Sequence, residues 1–378
     1  MGSMETFYLS LATPEGEPVH WMIGFGVSVA YRGKGFVDVV EALKQAWKDI
    51  RHDFFSIPAT VDPVNQRLVV GPDDDASVEW WLQSSFEVHD GITADQLFSN
   101  FKSQFSITLH FLPDTNELVI QAMHALLDGR GMLYLFDALF KSLSKQPKDE
   151  QTNGSTCTSS PNLTRPLDEW IKFSQSPSQQ NIEDARDLFK RFVQDKPVRL
   201  PGVDFGRTPG RPVHRELSLS EKDSHRIVDA CKIKGLTVTT AWHAALAIAV
   251  QKIQKEKGET GTTYTQFTTI DLRRWFPEPF RANQHFIGSL QTALPFAVDL
   301  GKESNFDKIS QCLQKDYKKP FTFAHGDVSC LVPGMAMYKQ MLAAGQVTPS
   351  STPYLSSMGV VDDFISPRYG DWELTKYG

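Results

Sequence analysis

Glu117-Leu118-Val119-Ile120-Gln121-Ala122-Met123-His124-Ala125-Leu126-Leu127-Asp128-Gly129 is the stretch in which one hydrophobic period gives way to another. As far as Met123 it is a short apolar, β-rich run of the kind that forms a buried strand. Beyond Gly129, the residues Met132, Leu135, Phe136, Leu139 and Phe140 recur at spacings of three and four, which is a helical stripe. Upstream, residues 105–111 read as another strand, and a loop containing Pro113-Asp114 separates the two. Together they predict an antiparallel hairpin that runs directly into a helix. His124 and Asp128 stand at that junction, with Gly129 after them to permit a sharp backbone path.

The alternation continues on both sides. Residues 5–31 read as short strands, with residues 21–27 suited to a buried edge. Val37, Val40, Leu43 and Trp47 give an amphipathic helix over 37–51, and residues 67–70 a strand. From about 144 to 165 the composition shifts to Ser, Thr, Asn, Gln, Lys and Pro without either period, so a polar crossover linker is expected there. In the second half, a short strand over 214–219 precedes Ser220, a suitable N-cap for a helix over 223–232 that Gly235 closes. An Ala-rich helix over 237–252, strands over 263–272 and 289–298, a helix over 305–317 and a final strand over 353–361 complete the pattern. The fold class is therefore α/β (α+β), in two lobes of similar make-up: 1–195, which carries the His124 junction, and 196–378.

Composition narrows the function. At 378 residues the chain is long enough for two or three structural units, and 40% hydrophobic with 22% charged residues is ordinary for a packed globular protein. Lys plus Arg number 39 against 45 Asp plus Glu, a formal charge of −6, and no basic block occurs; nucleic acid is not an expected partner. Cys157, Cys231, Cys312 and Cys330 are scattered, without metal-ligand spacing, which suits a reduced, cytoplasmic protein. No apolar run approaches the ~20 residues needed to span a bilayer. Phenylalanine is abundant, at 25 residues, and composition leaves open whether the surplus fills a core or lines an apolar pocket.

His124 carries the chemistry. An imidazole at a strand–helix junction can present a ring nitrogen to a cavity, and its unperturbed pKa near ~6.5 suits proton transfer at neutral pH. The bland alternative is a buried histidine that caps the helix. Three roles are open to Asp128: a second base, a holder of the histidine's other nitrogen, or a buried carboxylate paired with an arginine.

Residues 123–129 resemble the HxxxDG motif of the chloramphenicol-acetyltransferase-like superfamily of CoA-dependent acyltransferases. That superfamily includes plant BAHD enzymes, peptide-synthetase condensation domains and fungal trichothecene O-acetyltransferases. Other segments resemble its landmarks in order. Residues 42–48 are similar to its first core helix, and residues 235–241 to the start of its second lobe. Ile270-Asp271-Leu272-Arg273 is similar to the strand bearing its arginine, Phe286-Ile287-Gly288-Ser289 to a later turn, and Leu355-Ser356-Ser357-Met358-Gly359 to a late strand. The likeness covers nearly the whole chain and is nearest to the trichothecene-type enzymes.

The resemblance implies two lobes with a channel between them, acyl-CoA (acetyl-CoA) entering from one face and a small-molecule alcohol from the other, and a monomer. His124 becomes the general base, Asp128 and Gly129 structural residues, and Arg273 the partner of Asp128, with Arg274 the competing choice. Ser356, Ser357 and Ser289 are the candidate substrate or oxyanion contacts. The reaction requires neither a metal nor a covalent acyl-enzyme. Three departures bear on this. Met123 stands where condensation domains double the histidine, which favours a free CoA thioester over a carrier-bound one. The plant DFGWG motif is missing, and Val203-Asp204-Phe205-Gly206 copies part of it too early to count. The sequence also stops at Gly378, where family members usually continue with a further strand and helix.

Overall fold

The computed structural model describes residues 1–12, 21–34, 38–54, 56–145, 166, 177–192, 197–201, 213–276, 286–301, 305–318, 330–344 and 351–377. Most of the polar stretch at 144–165 lies outside these residues, as do Cys157 and residues 203–206.

The first half holds α1 (Ser3–Leu11), β1 (Met22–Tyr31), α2 (Val39–Asp53), β2 (Ala59–Asp62), β3 (Arg67–Val70), α3 (Asp75–Ser85), β4 (Phe86–Val88), α4 (Ala94–Asn100), β5 (Ile107–Leu112), β6 (Glu117–Met123) and α5 (Gly129–Leu143). The second half holds α6 (Gln179–Phe192), β7 (Pro197–Val198), α7 (Glu221–Ile233), α8 (Val238–Glu256), β8 (Thr263–Asp271), a 3-10 turn at Arg273–Trp275, and β9 (Gln291–Asp299). After these come α9 (Phe306–Lys318), α10 (Leu331–Ala343), β10 (Arg368–Tyr369) and β11 (Trp372–Tyr377). The strands form a six-stranded sheet in the order β10-β11-β1-β6-β5-β4, a three-stranded sheet β7-β8-β9, and the small ribbon β2-β3.

The β5–β6 hairpin pairs in register from Ile107↔Ala122 to Leu112↔Glu117. Its turn closes through Asn116, whose φ of 51° lies in the left-handed region that asparagine tolerates better than most residues. Helices α2 and α5 cover one face of the six-stranded sheet. Their stripes bury Leu43, Trp47 and Ile50 on the first, and Met132, Leu135, Phe136 and Phe140 on the second. Each such side chain stabilises the fold by about 1.5–3 kcal/mol relative to exposure. Trp47 stacks on Trp81 and donates its indole N–H to Ser85 Oγ at 3.0 Å, so its one polar atom is satisfied in the core. The same apolar cluster runs on into Leu272, Phe276, Ile287 and Leu290, and the two halves share one core.

Four local expectations are corrected. Residues 3–11 form a helix and not a strand, because Met4 and Tyr8, one helical turn apart, are both buried. Strand β1 is interior, flanked by β11 and β6, and is not an edge. Residues 214–219 have the apolar alternation of a strand but pair with no strand among the described residues; Leu217 is 82% exposed, and the segment is held by a hydrogen bond between His214 and Asp95 and by the ion pair of Glu216 with Lys376. Residues 353–360 join no sheet, and Gly359, at φ +82°, breaks any extended run; the last strand is β11. Strands β10 and β11 belong by sequence to the second half, yet they complete the first sheet.

Candidate active site

Strand β6 delivers His124. The final pair of its ladder with β1 is Met22↔Met123, and the next main-chain N–H, that of His124, donates to Trp21 O at 2.9 Å. The chain then turns tightly, with the N–H groups of Leu126 and Leu127 both donating to Met123 O. Asp128 caps α5, accepting from the Gly131 N–H at 2.7 Å. Strand end, turn and cap fix the histidine's backbone on three sides.

Asp128 faces away from the imidazole. Its Oδ1 accepts from Gly131 N–H and, at 2.8 Å, from an Arg273 Nη; its Oδ2 accepts from the other Arg273 Nη at 3.0 Å and from the Leu290 N–H at 2.7 Å. Both side chains are nearly sealed, at 2% and 4% exposure. Arg273 also donates to Asp271 Oδ1 and to the carbonyls of Phe286 and Gly288. A buried bidentate pair with every remaining polar position matched is the geometry in which such a pair holds a structure together. It ties the start of α5 to the 3-10 turn and to residues 286–290.

The glycines follow from this closeness. A Cβ on Gly131 would lie 2.7 Å from Gly288 O, and one on Gly129 would lie 2.6 Å from Met358 Sδ. Gly129 is not among the positive-φ residues, so no unusual backbone path requires a glycine there, and a Cβ would press on the movable end of the Met358 side chain.

The His124 ring stacks on Tyr8, with centroids 4.8 Å apart and planes 10° from parallel, and Trp21 lies 6.4 Å away. The Gln291 side-chain amide donates to His124 Nε2 and to Tyr8 Oη, each at 3.3 Å. A donor at Nε2 requires the lone pair there and assigns the neutral ring's proton to Nδ1. Nδ1 is buried without a hydrogen-bond partner, while the residue as a whole keeps partial exposure. Burial pushes the His124 pKa below its usual value; its own main-chain carbonyl and the Asp128 charge pull weakly the other way. The imidazole is therefore neutral at neutral pH, with an acceptor nitrogen in place. Burial also drives the Tyr8 phenol well above its ordinary range, so the stacked ring stays protonated.

The structure brings His124, Asp128, Gly129 and Arg273 together, and it is Arg273 that pairs with Asp128. Ser289 belongs to the same group: it is 3% exposed, its Oγ is buried without a partner, and it lies between Gly288 and Leu290, both bonded to the Asp128–Arg273 pair. Ser356 and Ser357 are exposed, and Ser357 Oγ bonds to Thr239 Oγ1 at 2.9 Å.

Sequence reasoning missed Tyr8, Trp21 and Gln291. The i, i+4 pair Met4 and Tyr8 was a readable signal of a helix whose inner face could reach the site. Trp21 adopts a φ of 59°, a left-handed conformation costly for a bulky residue and of the kind that clusters at functional sites.

No protein-family model matches the chain. It is 22% identical over 364 residues to the O-acetyltransferase pigM of Monascus ruber, covering 93% of this chain and 68% of that protein. It is 24% identical over 399 residues to the acetyltransferase pigO of the same organism, covering 99% of this chain and 83% of the relative. Among solved structures, the TRI3 trichothecene 15-O-acetyltransferase of Fusarium sporotrichioides superposes with a TM-score of 0.78 at 17% identity, over 99% of this chain and 84% of that one. At that identity the superposition establishes the fold.

Proposed function

We propose that this chain belongs to the chloramphenicol-acetyltransferase-like acyltransferase superfamily and is an O-acyltransferase moving an acetyl group from CoA to a hydroxyl of a small hydrophobic metabolite. The observation that carries this reading is His124 Nε2: an acceptor nitrogen on a neutral ring, in a residue that keeps partial exposure and is held by a buried staple.

In the reaction, Nε2 takes the proton of the acceptor hydroxyl as its oxygen bonds to the thioester carbonyl carbon. The carbonyl oxygen becomes the oxyanion of a tetrahedral intermediate. Its collapse breaks the carbon–sulfur bond, and the leaving thiolate recovers the proton from the imidazolium, so base and charge are both restored. A base placed this way contributes roughly 10²–10⁴-fold. The acceptor hydroxyl takes the position at Nε2 that the Gln291 amide holds, with Gln291 remaining beside it as a polar contact. Ser289 Oγ is the proposed oxyanion donor, a role supported by its burial and its lack of a protein partner. Ser357, spent on Thr239, and the exposed Ser356 fit that role less well. Asp128 and Arg273 position the histidine without touching substrate.

Two features support a lipophilic acceptor. Aromatic rings run from His124 through Tyr8 and Phe7 to Tyr338 and Phe267, with successive centroids between 4.8 and 6.0 Å. The relatives of like sequence carry names of fungal acetyltransferases, and one is an azaphilone biosynthesis cluster protein of Aspergillus terreus. The chain works in this reading as two lobes, 1–195 and 196–378, with strand β11 returning across the boundary. Among the described residues no single helix is long and apolar enough to cross a membrane.

The test is to incubate the purified chain with acetyl-CoA and a panel of polycyclic and linear alcohols, following free thiol and an acetylated product by mass spectrometry. Thiol release that depends on the alcohol supports the proposal. Activity confined to a phosphopantetheinylated carrier would assign a condensation-type reaction, and product from neither donor would point to a binding or repurposed site.

A further inference from the structure

At the β4 edge of the six-stranded sheet, three side chains with ligand chemistry converge without any part in acyl transfer. The edge strand β4 runs parallel to β5, with Glu87 opposite His110. His89 lies one residue beyond β4, and its N–H donates to Phe111 O at 2.9 Å, continuing the pairing. Because side chains alternate along a strand, residues 87 and 89 share a face, and the register sets His110 against them. His89 Nε2 is 3.0 Å from His110 Nδ1 and 3.4 Å from Glu87 Oε2. The ligand atoms of all three residues lie within 4.8 Å of one another.

The two spacings from His89 are close to those around a bound ion. With metal–nitrogen bonds of about 2.0–2.1 Å and metal–oxygen bonds of about 2.0–2.2 Å, a tetrahedral centre holds its ligand atoms about 3.3–3.5 Å apart. At 3.0 Å the two imidazole nitrogens lie a few tenths of an ångström closer than that range, as a hydrogen-bonded pair whose shared proton an ion of suitable size would replace. The far side of His110 is fixed: Nε2 lies 2.8 Å from Thr108 Oγ1, which also accepts from Gln104 Nε2 at 2.7 Å. His110 and Thr108 are buried, at 4% and 2% exposure. An imidazole whose outer N–H is committed to a fixed oxygen keeps its inner lone pair for a ligand, which is how metal-bound histidines are usually oriented. Glu87 is exposed and His89 partly so, giving an ion a path from solvent.

We propose that Glu87, His89 and His110 form a binding site for a divalent transition ion of the zinc class, with three protein ligands and the fourth position facing water. Two imidazoles and one carboxylate suit zinc, cobalt or nickel, whereas magnesium and calcium prefer all-oxygen sets. The ion would fasten β4, a strand of only three residues, to β5.

The proposal is tested on the tag-free full chain, stripped with a chelator and dialysed, by calorimetric titration with zinc chloride and by visible absorption on adding cobalt(II). The wild type is expected to take up one more equivalent of zinc than His89→Ala and to give the intense bands of tetrahedral cobalt, which the variant lacks. The exposed Glu87→Gln variant should bind zinc more weakly while melting normally without metal, and it serves if His89→Ala fails to fold. Equal zinc uptake by wild type and variants, or wild-type cobalt spectra typical of the hydrated ion, overturns the proposal.

Discussion

Asn in place of Asp128 is the most informative perturbation of the staple. It keeps the shape of the side chain but removes its charge and turns one of two acceptor oxygens into a donor. Either oxygen faces two donors, so the new NH2 group meets an Arg273 Nη together with the N–H of Gly131 or Leu290. Breaking one side of a buried ion pair costs about 3–5 kcal/mol. Arg273 keeps Asp271 and the carbonyls of Phe286 and Gly288, which places the cost near the lower end, about 3 kcal/mol. With an unfolding entropy of about 2.1 cal/mol/K for each of 378 residues, the melting temperature should fall by about 4 °C. Differential scanning calorimetry measures the shift, and turnover is then normalised to folded protein. The expected result is lower stability with turnover per folded molecule within about tenfold of wild type, since no proton passes through Asp128. An unchanged melting temperature with turnover down a hundredfold or more and a displaced pH profile would refute the structural role.

Other outcomes follow from the same geometry. Gln291→Glu sets a carboxylate where an amide now lies 3.3 Å from His124 Nε2. It favours the imidazolium and should raise the lowered pKa of His124 by about one to three units. Because the base must be neutral to act, the acid limb of kcat/KM moves to higher pH; an unmoved limb would show that His124 is not the titrating group. Gly131→Ala forces a methyl against Gly288 O at 2.7 Å and should cost about 1–3 kcal/mol in a denaturant melt, whereas Gly71→Ala, with nothing within 4 Å, should be neutral. His243 is fully buried, and burial lowers its pKa to about 4. Its unfolded form gains a proton near pH 6.5 and its folded form does not, so stability falls as pH drops from about 6.5 toward 4. At pH 5 the loss is about 2 kcal/mol. His243→Gln should shrink the difference in unfolding free energy between pH 7 and pH 5 by that amount, and an equal difference in both proteins would contradict it.

What was legible in the sequence is the part governed by local period. The β5–β6 hairpin, helix α5 and the Ala-rich α8 appear where the sequence puts them: the continuous apolar runs of β5 and β6 are buried on both faces, and α5 buries the stripe its own pattern marks. The pairing of Asp128 with Arg273 was accessible only through resemblance; the partners are separated by 145 residues, and no local period reports such a contact. Residues 214–219 misled because alternation describes a strand's faces and says nothing about whether a neighbour exists to pair with. The Met4–Tyr8 spacing marked a helix, but that Tyr8, Trp21 and Gln291 meet at His124 was illegible, since each reaches it from a different part of the chain. A helix turn, a left-handed backbone and the first residue of β9 bring them there.

The most direct measurement compares turnover of wild type and His124→Ala with acetyl-CoA and a reactive alcohol, alongside CoA affinity and melting temperature. Turnover is predicted to fall by about 10²–10⁴-fold while CoA binding and stability hold. A folded, CoA-binding His124→Ala protein that acetylates the alcohol within tenfold of wild type would contradict the assignment of this imidazole as the base.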